Sequence, residues 1–118
     1  MIKVTILSGS YAGRTRAMPD DVDPAALLQS FLQHGWDWRV DYSEATPEEE
    51  WAWGRQDLVA RFLRALKRGL PVTFLGKEYR GIEKAQALED AIAGSGRMVT
   101  IERDDEDGLV IVAKGWEQ

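Results

Sequence analysis

Few side chains in this chain could do chemistry, and they are scattered. The single histidine, His34, is followed by Asp37, Asp41 and Glu44, a set that would suit a divalent cation if the carboxylates converged on the imidazole. A pocket uniting His34 with Trp38, Asp41 and Tyr42 would be equipped for acid or base chemistry. Asp37 and Asp41 on one strand face stand about 13 Å apart, at ~3.3 Å per residue, too far for a direct carboxylate pair, and the spacing does not imply that the other groups converge. A hydrolytic triad needs a serine and an acid at hydrogen-bond distance from the imidazole, and the sequence implies neither. There is no cysteine, which removes thiolate catalysis, cysteine-ligated zinc and disulfides together. His34 reads instead as a helix C-terminal residue beside Gly35, where an imidazole interacts favourably with exposed carbonyls. We expect no catalytic residue, no metal and no cofactor.

Two further segments resemble ligand loops and fall short. In an EF-hand register Asp105, Asp107 and Gly108 would fill positions three, five and six, but Arg103 and Lys114 stand where carboxylates are required. The run from Glu102 to Gly108 is therefore expected to be a solvated hairpin tip. Ser8 to Thr15 has glycines one residue too close for a phosphate-binding P-loop, with Arg14 in place of its lysine.

Residues suited to contact are more prominent. Four of the five tryptophans form two Trp-x-Trp pairs, Trp36/Trp38 and Trp51/Trp53. As a strand, the segment would put Trp36, Trp38, Val40 and Tyr42 on one face. On a helix, residues two apart do not share a face, so Trp51 is expected inward and Trp53 at the rim. Arg61, Arg64 and Arg68 recur at helical spacing, with Asp57 expected on the same face, and make a candidate docking face. Burying an indole contributes so much to a small domain that most of these four tryptophans are expected in the core, with a fringe left for contact; the contact candidates are Trp36, Trp38, Trp53, Arg61, Arg64 and Arg68, together with Tyr11, Arg14 and Arg16 in the opening hairpin.

The elements that would position them follow from local chemistry. Ile2–Leu7 and Arg14–Ala17 flank a glycine-bearing turn and form a hairpin. Asp23 is an N-cap with Pro24 at the first helical position, Leu27, Leu28, Phe31 and Leu32 make a stripe, and Gly35 closes this first helix. A strand over Trp36–Tyr42 leads to a capping box, Thr46 with Glu49, which starts a helix running to about Arg68. Gly76-Lys77 turns a hairpin between Val72–Leu75 and Glu78–Arg80. Ile82, Ala85, Leu88 and Ile92 mark a third helix ended by Gly94-Ser95-Gly96, and Arg97–Arg103 pairs with Leu109–Lys114 across the acidic turn. The order ββαβαββαββ predicts an α+β fold, mainly antiparallel, as a single domain over 1–118.

Within the first hairpin, Val4-x-Ile6-x-x-Gly9-x-x-x-Gly13 resembles the opening of a KOW motif, the hairpin of a small β-barrel in ribosomal and transcription elongation proteins. The resemblance spans residues 4–16. It departs from the family pattern at Arg16, where a further glycine is usual, and the helix-rich remainder has no counterpart in that barrel. The likeness implies that Gly9 and Gly13 are turn glycines and that Tyr11 and Arg14 lie near a partner, RNA or protein.

Composition sets the remaining bounds. With 118 residues, 44% of them hydrophobic, the chain can build one core. Its net charge of -5 and pI near 4.9 disfavour nucleic acid, which is bound through neutralised phosphates. No apolar run approaches the ~20 residues of a membrane span, and the opening is too short for a signal peptide, so a cytoplasmic protein is expected. The ratio of arginine to lysine, with many glycines and alanines, suggests a bacterial source. By exclusion, the sequence describes a non-catalytic module that binds a protein partner or itself. The alternative is a nucleic-acid or ribosome-associated module acting through the KOW-like hairpin.

Overall fold

The computed structural model describes residues 1–113 and shows an α+β fold of three α-helices and two mainly antiparallel sheets. The chain divides into two compact units, Met1–Ala60 and the residues from Arg61 on.

The first unit carries β1 (Ile2–Ile6), β2 (Thr15–Met18), α1 (Pro24–His34), β3 (Trp38–Asp41) and the first two-thirds of α2 (Pro47–Lys67). β1 is central in an antiparallel sheet of order β2-β1-β3, and its register pairs Val4 with Val40 and Ile6 with Trp38. Side-chain direction alternates along each strand, so Ile2, Val4, Trp38 and Val40 fall on one face. They form the core with Leu28 and Phe31 of α1 and with Trp53 and Ala60 of α2. The capping box forms as expected: Glu49 N–H donates to Thr46 Oγ1 at 3.2 Å, and Thr46 N–H donates to Glu49 Oε1 at 2.9 Å.

The buried face of α2 differs from expectation. Trp53 is 6% exposed and Trp51 56%, the reverse of the inward and outward assignment above. The reason is Asp57, one turn after Trp53 and itself buried, whose carboxylate accepts the indole N–H of Trp38. Trp53, Asp57 and Ala60 follow helical spacing, but an acid within an apolar stripe disguises that stripe in sequence.

The second unit carries the end of α2, β4 (Val72–Phe74), β5 (Lys77–Tyr79), a 3-10 turn (Ile82–Lys84), α3 (Ala85–Ser95), β6 (Val99–Asp105) and β7 (Gly108–Ala113). The sheet order is β5-β4-β7-β6, with β4 and β7 parallel and the other pairs antiparallel. Phe62, Leu66, Val72, Phe74, Leu88, Leu109 and Ile111 are fully buried. The β4–β5 turn sits one residue earlier than expected. Phe74 pairs with Lys77, so Leu75-Gly76 makes the turn, and both have positive φ, 50° and 78°, as a type I′ hairpin demands. The β6–β7 turn is tighter than expected, because pairing continues to Asp105 and Gly108. Lys114, the expected end of the last strand, lies outside the described residues.

Candidate functional site

The site forms in the first unit, where α1 ends against the tip of the β1–β2 hairpin. Gly35 takes the left-handed conformation, φ 71°, and its N–H reaches Leu32 O while the N–H of Trp36 reaches Phe31 O at 3.0 Å. These two bonds are a Schellman motif, which commonly brings the residue after the glycine against the side chain five positions back. Trp36 accordingly lies against Phe31, with ring centroids 5.9 Å apart. Trp36 is therefore not part of the strand, which begins at Trp38, and the aromatic wall expected of Trp36, Trp38 and Tyr42 does not form as a single strand face.

The hairpin tip closes on this indole. Leu7 N–H donates to Asp37 O at 2.8 Å and Asp37 N–H to Ser8 Oγ at 2.9 Å, tying the tip to the segment after α1. Gly9 faces the ring so closely that a β-carbon there would lie 2.5 Å from Trp36 Cδ1 and Nε1. Gly9 and Gly13 both have positive φ and are turn glycines, as the hairpin reading required. Tyr11 meets Trp36 edge to face at 5.4 Å, and the Arg14 guanidinium lies 4.9 Å from the centre of the Tyr11 ring, within cation–π range. On another side of Trp36, His34 stacks at 4.5 Å and 24°. Its Nδ1 is 2.8 Å from Ser30 O, which can only accept, so that nitrogen carries the proton.

The outer members of this cluster are solvent-exposed: Tyr11 at 44%, with Arg14 and His34 also exposed and Trp36 half-buried. Two sequence candidates, the hairpin residues and Trp36, are thus brought together, and His34 joins them. The sequence held a signal for Trp36 in Gly35 followed by a large apolar residue, the pattern of the Schellman contact. Arg16 lies two residues beyond Arg14 on β2, exposed and opposite Val4.

Other candidates are placed elsewhere. Trp38, 1% exposed, and Trp53 belong to the core, so neither is a contact residue; indole area is too valuable to the interior of so small a unit. Arg61 and Arg64 do not form an open cationic face. Both donate to Asp104 Oδ2 of β6, at 3.0 and 2.9 Å, with side chains only 15% and 13% exposed. Asp104 is accordingly bound rather than part of a solvated tip. Asp57, expected beside these arginines on the surface, is in the core, and Arg68 is exposed past the last turn of α2.

Among the described residues no three histidine or carboxylate side chains are grouped to hold a metal ion. Asp41 accepts the Ser43 N–H at 2.9 Å, which holds its carboxyl below the usual range. Charge is divided unevenly along the chain. Residues 1–60 hold five lysines and arginines against ten carboxylates, the whole of the net -5, yet residues 1–19 contain Lys3, Arg14 and Arg16 and no acid. Lys3 is paired with Glu44 at 3.1 Å, so the exposed cations of the hairpin are Arg14 and Arg16.

Compared with known proteins, the chain matches no family model, no curated protein and no solved structure.

Proposed function

We propose that this chain is a non-catalytic binding module that engages a protein surface, on a partner or on another copy of itself, through the Tyr11–Arg14–Trp36 cluster. One observation carries the reading: the exposed Tyr11 and Arg14 are set against a half-buried Trp36 that backbone hydrogen bonds, a Schellman motif and a close glycine hold in place. Tryptophan, tyrosine and arginine are the residue types that most often dominate binding energy, and fixing them beforehand lowers the entropy lost on association. No helix among the described residues is long and apolar enough to cross a membrane, and a chain without cysteine suits a reducing cytoplasm.

The test compares affinity capture by the wild-type chain and by Tyr11→Ala. Tyr11 is exposed, so the variant should keep its circular dichroism spectrum while losing the captured protein. Equal capture by both chains would remove the cluster from the reading.

The absence of acid in residues 1–19 favours one second reading, a single-stranded RNA bound by the KOW-like hairpin through ring stacking and arginine. Ten carboxylates in the same unit oppose a polyanion. Filter retention of RNA at low salt that falls steeply as salt is raised would favour this reading over the first.

A further inference from the structure

We infer that the hairpin cluster is the docking site for Trp51 of a second copy of this chain, with Glu48 of that copy set against Arg14. The inference rests on the reading of the cluster as a contact surface and names its occupant. Trp51 is the most exposed tryptophan among the described residues, at 56%, on the first turns of α2. Glu48 lies three residues before it, on the same helix face, and is exposed, as is Glu50. Glu49 is already engaged by Thr46 and by the Met1 amino group. Arg55, one turn after Trp51, is the cation nearest it along the helix, so the acidic side of this second surface lies toward the N-terminus of α2.

The two surfaces match in kind. One offers rings and the exposed Arg14; the other offers an indole with the exposed Glu48 on its own helix face and Glu50 beside it. Opposite potentials across an interface guide association and fix its register, and a ring beside an indole adds edge or stacking contact to the area covered. A contact between two different surfaces is made either reciprocally across a two-fold axis, which closes a dimer, or head-to-tail, which gives rings or chains.

Sedimentation equilibrium on the full chain tests this. The wild-type mass should rise with concentration above that of the monomer, and Trp51→Ala should weaken association on the order of 30-fold, as truncating a binding hot spot does. Arg14→Glu should do likewise, since both positions are exposed. Each variant keeps one intact surface, so mixing the two should give a discrete one-to-one complex. The double variant Arg14→Glu with Glu48→Arg should associate again, which separates lost charge pairing from lost folding. A wild-type chain that stays monomeric up to about 1 mM, where even a contact of about 4 kcal/mol would be half formed, or a mixture that stays monomeric, would overturn the inference. If the monomer still captures a foreign protein and loses it on Tyr11→Ala, the contact surface stands and only the second copy is removed.

Discussion

Position 53 shows how much a single indole matters to a unit of sixty residues. Trp53 packs with Trp38, Phe31 and Val40 in one cluster, and removing a buried tryptophan side chain costs about 3 to 5 kcal/mol. Trp53→Ala should therefore lower the urea midpoint sharply, whereas Tyr11→Ala should barely move it; similar midpoints for both would contradict the burial described here. Leu75 makes the opposite case. It holds φ 50° at a hairpin tip, 61% exposed, a conformation that disfavours a β-carbon by about 1 kcal/mol or more. Asparagine before glycine is the preferred pair for this turn, so Leu75→Asn should stabilise the protein by about 0.5 to 1 kcal/mol, read as a raised melting temperature. Neither residue's state was visible in sequence. A leucine gives no sign of a left-handed turn, and Trp53 was concealed by the acid one turn after it.

Among the elements, α2 carries a pH-sensitive contact at its start. The Thr46 amide, and then the Met1 ammonium, hold the Glu49 carboxyl below its usual range. A depressed carboxyl contributes stability that is complete above the ordinary carboxylate pKa and fades as pH falls through the lower, folded value. The wild-type chain should thus lose stability progressively below about pH 4. Glu49→Gln should be less stable at neutral pH and show a shallower acid limb in denaturation titrations. β2 is a sheet edge whose Arg16 shares a face with Val4, and a charge placed there discourages pairing with another strand. Replacing it, Arg16→Val, should promote light scattering on storage. The elements themselves were legible because caps and glycines mark them: Asp23, Gly35, Thr46 with Glu49, and Gly96 all stand where helices start or stop. The candidate site was legible only in parts. The hairpin and Trp36 lie more than twenty residues apart, and their meeting depends on a backbone turn at Gly35 that removes Trp36 from the strand.

At the scale of the whole molecule, charge is the controlling quantity. With pI near 4.9 and a net charge of -5 at neutral pH, the chain repels its copies in general, so any self-association must come from local complementarity. As pH approaches 5 that general repulsion vanishes. Solubility should pass through a minimum there and recover on return to pH 7, measured by turbidity; a minimum far from pH 5 would mean that the folded charge differs from the sequence value.

The passage from the first unit to the second occurs inside α2, between Ala60 and Arg61. Expressing either half by cutting at that point would leave a raw helical end, with carbonyls on one fragment and amides on the other stripped of their intrahelical partners. Fragment libraries and split reporters built on this chain should place their breaks at the Leu75-Gly76 or Glu106-Asp107 tips, where a nick severs a turn and spares the helix.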